Sequence, residues 1–308
     1  MKASLVLLLL LGPPCLQPAA TGPFEYSQVH MGMPVRLVLH APDERLALEA
    51  ARAAFSRIKS LDEIMSDYRP DSELRRLESQ PGQRIVISPE LFHVLRTALE
   101  VARITNGAFD PTVGPLVALW RTARREQRLP TDDAIRQARE LVGFRLVHLD
   151  PPNGVQLAIA GMRLDLGGIA KGYILQEALR TLRAHGVTAA LVEAGGDVVV
   201  ADAPPGKAGW TIATPGSDPG FGQRAGSLAN AALATSGPAA QFIEIDGVRY
   251  SHVIDPRTGL GVTSGRTVRV IASDAAIADA VATALGVMGP DGLNAICSVF
   301  PDLAISIV

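Results

Sequence analysis

The sequence predicts an α+β fold in one continuous unit, with antiparallel or mixed sheets and packed helices, rather than a doubly wound parallel sheet. Three observations carry this. Long amphipathic helical stretches alternate irregularly with short strands. Asp246-Gly247 separates two short strand-like runs by a two-residue hairpin signal. No Walker or Rossmann glycine pattern marks a parallel nucleotide-binding core, and no repeat of solenoid length appears.

The elements follow in order. Val35 to His40 alternates as a strand, and Asp43 opens a helix reaching Met65, with Leu46, Ala50, Ala54, Ile58 and Leu61 at helical spacing. Ser88-Pro89 opens a second helix to Ile104. The segment from Gly107 to Trp120 carries no charge besides Asp110 and reads as irregular, and Arg121 to Asp133 reads as an exposed polar excursion. Short strands are expected at Arg145–Leu149, Val155–Ala158 and Arg163–Leu166, and Gly167-Gly168 then leads into a helix ending near His185. Further strands are expected at Val187–Val192, Val198–Val200, Trp210–Ala213, Leu228–Thr235 and Thr267–Ile271, with a hairpin formed by Phe242–Ile245 and Val248–Val253. Ala275 to Met288 reads as a helix and Leu303 to Val308 as a closing strand.

Of 308 residues, 47% are hydrophobic and 19% charged, and the formal net charge is −2. That balance fits a globular protein and excludes binding nucleic acid by bulk positive charge. Leu5 to Leu11 behind Lys2 is too short to span a bilayer, but with small residues at Ala19 and Ala20 it has the form of a signal peptide. Residues 1–20 are therefore expected to direct export, to the periplasm or the outer face of the cytoplasmic membrane, and 21–308 to form a single domain. Cys15 leaves lipidation open against simple cleavage, although Pro13 and Pro14 stand where a lipoprotein signal places small residues. Only Cys297 remains in the mature chain, so no internal disulfide forms, and this thiol is expected to be a small buried hydrophobe.

Six segments concentrate chemistry. Asp165 to Tyr173 runs from a strand end through Gly167-Gly168 into a helix start, where free backbone N–H groups and Lys171 suit a phosphate. A tight turn that needs glycine for packing is the plain alternative. Asp279 and Thr283, four apart on an otherwise apolar helix, form a hard-oxygen pair suited to Mg²⁺. A buried carboxylate needs a partner or a cation, and a backbone hydrogen bond would also serve. His252 and Asp255 sit either side of a strand terminus, in the positions of a general base and a supporting carboxylate, with Arg257 available to pair or simply to pin the turn. The loops Gly107–Leu116 and Ile64–Leu74 carry Phe109 and Tyr68, which either contact a planar ligand or anchor their loops. Glu193 to Asp197 adds a further glycine-bearing strand break.

These motifs, in this order, resemble the FAD:protein FMN transferase (ApbE) family: Met31-Gly32, Met65 to Leu77, Ala108 to Thr112, Asp165 to Tyr173, Gly195 to Asp197, Thr235 to Gly237, His252 to Gly259, and Ala278 to Ala284. The resemblance covers nearly the whole mature chain. It implies a T-fold-like α+β architecture with FAD in a cleft between two lobes and Mg²⁺ on its pyrophosphate. It implies Asp279, Thr283 and the Gly168 carbonyl as metal ligands. Met31, Tyr68, Ala108, Phe109, Asp110, Asp165, Lys171 and Ile254 would form the flavin site, with His252, supported by Asp255, as base. The activity so implied is transfer of FMN from FAD to a Thr or Ser of an acceptor flavoprotein subunit of a respiratory or redox complex, releasing AMP. Membrane contact then arises through a lipid anchor or through the acceptor. The competing readings are an exported FAD-binding protein and an Mg²⁺-dependent FAD pyrophosphatase. Two departures stand out: Met33 replaces the usual Thr or Ser, and Pro238-Ala239-Ala240 replaces polar and aromatic residues.

Overall fold

A computed structural model of the chain describes residues 22–237 and 242–308. The leader at 1–20 and the Pro238-Ala239-Ala240 departure lie outside the described residues. The strands are β1 (Phe24–His30), β2 (Met33–His40), β3 (Ile85–Val86), β4 (Val147–Asp150), β5 (Gly154–Leu157), β6 (Ala189–Ala194), β7 (Asp197–Val200), β8 (Ala231–Ser236), β9 (Phe242–Ile245), β10 (Val248–Ser251), β11 (Val268–Ala272) and β12 (Ala304–Ile307). The helices are α1 (Glu44–Met65), α2 (Glu73–Glu78), α3 (Pro89–Ile104), α4 (Gly114–Glu126), α5 (Asp132–Arg139), α6 (Ala170–Ala184), α7 (Pro219–Ala225), α8 (Ala275–Met288) and α9 (Leu293–Cys297).

Seven strands form one sheet in the order β1-β2-β6-β7-β8-β11-β12, every neighbouring pair antiparallel. Three two-residue turns set hairpin registers: Met31-Gly32 (φ 52° and 73°), Gly195-Gly196 (56° and 89°) and Asp246-Gly247 (51° and 75°). Positive φ at both central residues matches the right-handed twist of the strands. Met31 adopts it without glycine's freedom, a strain of about 1–2 kcal/mol at one of the residues the sequence assigns to ligand binding.

Helices α1, α6 and α8 cover one sheet face and build the main core. Asp43 caps α1 through Leu46 N (2.8 Å), and its Ala50, Ala54, Ile58 and Leu61 stripe faces inward. Trp210, Phe221, Ala225 and Leu228 cover Val38, Leu191, Val198, Leu233 and Ile271 on the other face. A third cluster joins Leu116, Trp120 and Ala123 of α4 to Ile243, Ile245 and Ile254, and Trp120 Nε1 donates to Gly259 O at 2.8 Å. This smaller lobe carries the His252–Gly259 segment.

Several expectations are corrected. The Gly107–Trp120 stretch is helical from Gly114, and the Arg121–Asp133 excursion is the end of α4 and the start of α5. Gly114-Pro115 starts α4 as proline's fixed φ allows, and the charges follow because one side of the helix is wet. The Tyr68 loop passes into α2, capped by Ser72 Oγ at Arg75 N (3.1 Å). Arg163–Leu166 and Trp210–Ala213 are extended but form only isolated bridges, at Arg163 to Val113 and Trp210 to Leu228. Cys297 is exposed, because Ile296 takes the inward position of α9.

Candidate functional site

The site is assembled where the start of α6 meets α8. Asp165 N donates to Pro111 O at 2.8 Å, and the chain turns through Gly167, Gly168 and Ile169 into α6. Both glycines of the contact permit close approach. A Cβ on Gly172 would stand 2.0 Å from Ala275 O, and one on Gly168 would stand 2.9 Å from Thr283 Oγ1 and 3.2 Å from Phe109 Cε2. The Gly172 N–H, in the first turn of α6, donates to Asp279 Oδ2 at 3.1 Å. Gly168, far from α8 in sequence, is thus a neighbour of Thr283, and Asp279 on the same helix meets the first turn of α6 through Gly172.

Gly172→Ala is accordingly expected to force α6 and α8 apart and destabilise the chain by about 1–3 kcal/mol or more, the range for overpacking. Chemical denaturation checks this, and a midpoint equal to that of the wild type would contradict the packing.

The electrostatics come from three nearly buried groups. Lys171 Nζ pairs with Asp197 Oδ2 at 2.9 Å, and Asp197 Oδ1 accepts from Thr235 N at 2.9 Å. Burial raises the Asp197 carboxyl against the pull of Lys171. Burial also opposes the charge on Lys171, but Asp279 and Asp197 outweigh it and hold the ammonium above its ordinary range. Burial, and then the charge of Asp197, push Asp279 up to about 7, against Lys171 and the Gly172 N–H. One ammonium therefore serves two carboxylates, and an added cation relieves the excess negative charge. No group of three His, Cys, Asp or Glu gathers for a metal among the described residues. One carboxylate, one hydroxyl and one carbonyl instead suit Mg²⁺, which keeps waters and takes phosphate oxygens from a ligand.

The remaining sequence candidates differ in burial and in the partners they bond. Phe109 is buried beneath Gly168, with Ala108 beside it in sequence. Asp110 is buried with both oxygens occupied: Oδ1 accepts from Thr112 N and Oγ1 (2.9 and 2.6 Å) and Oδ2 from Phe144 N (2.9 Å). These bonds hold the Phe109 loop in place. Asp165 Oδ1 accepts from Gly167 N at 2.8 Å, and burial together with Asp67 raises its carboxyl. Tyr68 is exposed, with Arg121 over its ring. Met31 is half-buried in its turn. Ile254 is buried in the small lobe, so its side chain builds the wall rather than meeting solvent.

His252 is exposed, immediately after β10. Its neighbour Val253 lines a small pocket with Ser236, Gly237 and Gly286, which brings the small lobe against α8 and the end of β8. Both Asp255 oxygens accept from Arg257, Oδ1 from Nε and Oδ2 from Nη2, each at 2.9 Å. This pair pins the turn, as one of the two sequence readings of Arg257 had it, so any support Asp255 lends His252 includes fixing the strand end.

Sequence reasoning did not single out Asp197 as the partner of Lys171, or Arg121. The Gly195-Gly196 turn before Asp197 was the available signal for the first; nothing local marks the second. Met33 is placed with its sulfur against Gly195, where an added Cβ would stand 2.8 Å from Sδ and 3.9 Å from Lys171 Cδ.

The class this defines is an antiparallel α+β protein that sets a glycine-rich helix start against a helix bearing Asp and Thr. The chain belongs to the ApbE family, whose model matches residues 31–306. It is 34% identical over 300 residues to the FAD:protein FMN transferase of Treponema pallidum, covering 90% of this chain and 82% of the relative. It is 33% identical over 241 residues to the FAD:protein FMN transferase of Vibrio cholerae, covering 76% and 72%. Among solved structures, the ApbE protein of Thermotoga maritima superposes with a TM-score of 0.80 at 31% identity, covering 93% of this chain and 94% of that one. The apo flavinyl transferase ApbE of Pseudomonas stutzeri superposes with a TM-score of 0.79 at 26% identity, covering 95% of each.

Proposed function

We propose that this chain transfers FMN from FAD to a Thr or Ser hydroxyl of a partner flavoprotein subunit, in a reaction that depends on Mg²⁺ and releases AMP. The observation that carries this reading is the convergence of Gly168, Thr283 and the excess carboxylate Asp279 at the start of α6. The Asp279 carboxylate, the Thr283 hydroxyl and the Gly168 carbonyl would hold Mg²⁺, which when bound would supply positive charge against the diphosphate.

The chain's own residues do the rest. The Gly167–Lys171 junction offers helix-start N–H groups to phosphate oxygens. Lys171, kept charged by its two carboxylates, adds a fixed positive centre beside Asp279. His252, on the exposed side of the small lobe, takes the proton of the acceptor hydroxyl as that oxygen bonds to the FMN phosphorus. The bond from that phosphorus to the AMP oxygen breaks, and AMP leaves with the electron pair. Phe109 and Asp110 hold the loop under Gly168 in register with this arrangement.

Incubation with FAD, Mg²⁺ and an acceptor domain carrying a flavinylation-type Thr tests the reading by mass spectrometry. An FMN-sized adduct with equal release of AMP supports it. FMN and AMP without adduct would point to a pyrophosphatase, and FAD retained intact to a binding protein.

We also propose that residues 1–20 direct export, placing the activity in the periplasm or on the outer face of the cytoplasmic membrane, on the form of Lys2 to Ala20. Intact mass of the secreted chain checks this, and an uncleaved cytosolic protein contradicts it.

The raised carboxyl of Asp279 makes cation binding dependent on pH. Its folded pKa lies above the ordinary carboxylate value, so the metal-free fold binds the proton more tightly than the unfolded chain does. At this site its stability falls as pH rises from about 4 to about 7. A cation competes with that proton, so thermal protection by Mg²⁺ with FAD is expected to be larger at about pH 8 than at about pH 5.5. Equal protection at both would contradict Asp279 as a ligand.

A further inference from the structure

Tyr68 is 77% exposed, yet its position is fixed from two sides. Behind it, Arg75 Nε donates to the carbonyl of the preceding Asp67 at 3.0 Å. In front, Arg121 of α4 lays its guanidinium on the ring, with Cζ 4.1 Å from the centroid. The same guanidinium pairs with Asp67 Oδ2 at 2.6 Å and reaches Asp165 Oδ2 at 3.8 Å. One face of the phenol therefore carries a cation, and the ring's exposure leaves the opposite face open. A single arginine connects the exposed aromatic to the carboxylate that leads into the Gly167–Gly168 junction.

Taking Tyr68 as the flavin-site residue that the family resemblance implies, we propose that Arg121 is a positioning residue for FAD binding: it holds the Tyr68 ring as a rigid platform with one face open to the ligand, and ties that platform to the Gly167–Gly168 junction through Asp165. This rests on the FAD reading above and extends it to a residue outside the site as the sequence describes it. An exposed tyrosine without such a brace loses its rotational freedom only when ligand arrives, which weakens binding. Lysine preserves the charge but not the planar stack or the fork that spans Asp67 and Tyr68.

The experiment is FAD titration of the full mature chain, followed by flavin fluorescence, for wild type, Arg121→Lys, Tyr68→Ala and the double variant. Arg121→Lys is expected to raise the apparent Kd for FAD about 3- to 10-fold, the scale of one cation–π contact with side-chain ordering, and to lessen the quenching of bound flavin at saturation. KM for FAD is expected to rise with kcat nearly unchanged. The double variant is expected to bind no more weakly than Tyr68→Ala, since Arg121 acts through that ring. Unchanged Kd and quenching in Arg121→Lys, or effects that add in the double variant, would overturn the proposal while leaving FAD binding intact. A wild-type chain that binds no FAD would instead remove the functional reading on which the proposal rests.

Discussion

Asp279→Asn is expected to reduce FMN transfer by at least about 10²–10³-fold, the loss seen when one charge-stabilising group is taken from a transition state. Asparagine preserves shape, and its carbonyl oxygen still accepts the Gly172 N–H that holds α6 against α8. It removes the negative charge and turns the second oxygen into an NH₂ donor. In wild type that charge is disfavoured by burial and by Asp197, so the variant without metal is expected to be at least as stable as wild type at about pH 8, where the wild-type carboxylate is mostly ionised. Loss of activity with an unchanged or raised Tm separates ligand loss from unfolding. Full activity in the variant would mean that the excess carboxylate holds no cation needed for transfer.

His252→Ala is expected to lower the rate of transfer by about 10²–10⁴-fold, the contribution of a positioned general base. FAD affinity should change little, because the oxygens and N–H groups proposed to hold the diphosphate lie at the junction into α6 and on α8 rather than on this segment. His252 is exposed after β10, so its removal leaves no core cavity and Tm should hold. Stopped-flow binding with single-turnover adduct formation distinguishes the two steps. A variant that binds FAD more weakly but transfers it at the wild-type rate would move His252 from base to binding residue.

Much of the fold was legible because its signals are local. Asp43 and Ser88 cap α1 and α3 as hydroxyl or carboxylate acceptors should. The Asp246-Gly247 dipeptide made its hairpin, and the apolar repeat of Ala275–Met288 packs in the main core. Start signals of a different kind misled: Gly114-Pro115 reads as a break, though proline is welcome in the first turn of α4. Extended segments such as Arg163–Leu166 have strand composition but lack a partner along their length, which only tertiary context decides.

The site was legible to the extent that its residue types were unusual where they stood. Asp279 and Thr283 stand out on an apolar helix, and the glycine pair stands out before α6. The pairing of Lys171 with Asp197, the internal use of Asp110 and the brace of Arg121 on Tyr68 all depend on contacts between remote segments. Charge and spacing along the chain do not encode them. Lys171 illustrates the point: a lysine after a glycine pair suggests phosphate, and the fold first commits it to a carboxylate.

The central claim is that Gly168, Thr283 and Asp279 form one Mg²⁺-dependent diphosphate site. It is tested most directly by calorimetric titration of FAD into the mature chain, with Mg²⁺ and with EDTA, for wild type and Asp279→Asn. The account predicts that Mg²⁺ tightens FAD binding to wild type and leaves the variant unchanged. Equal FAD affinity with and without Mg²⁺ in wild type, or equal tightening in both proteins, would contradict it.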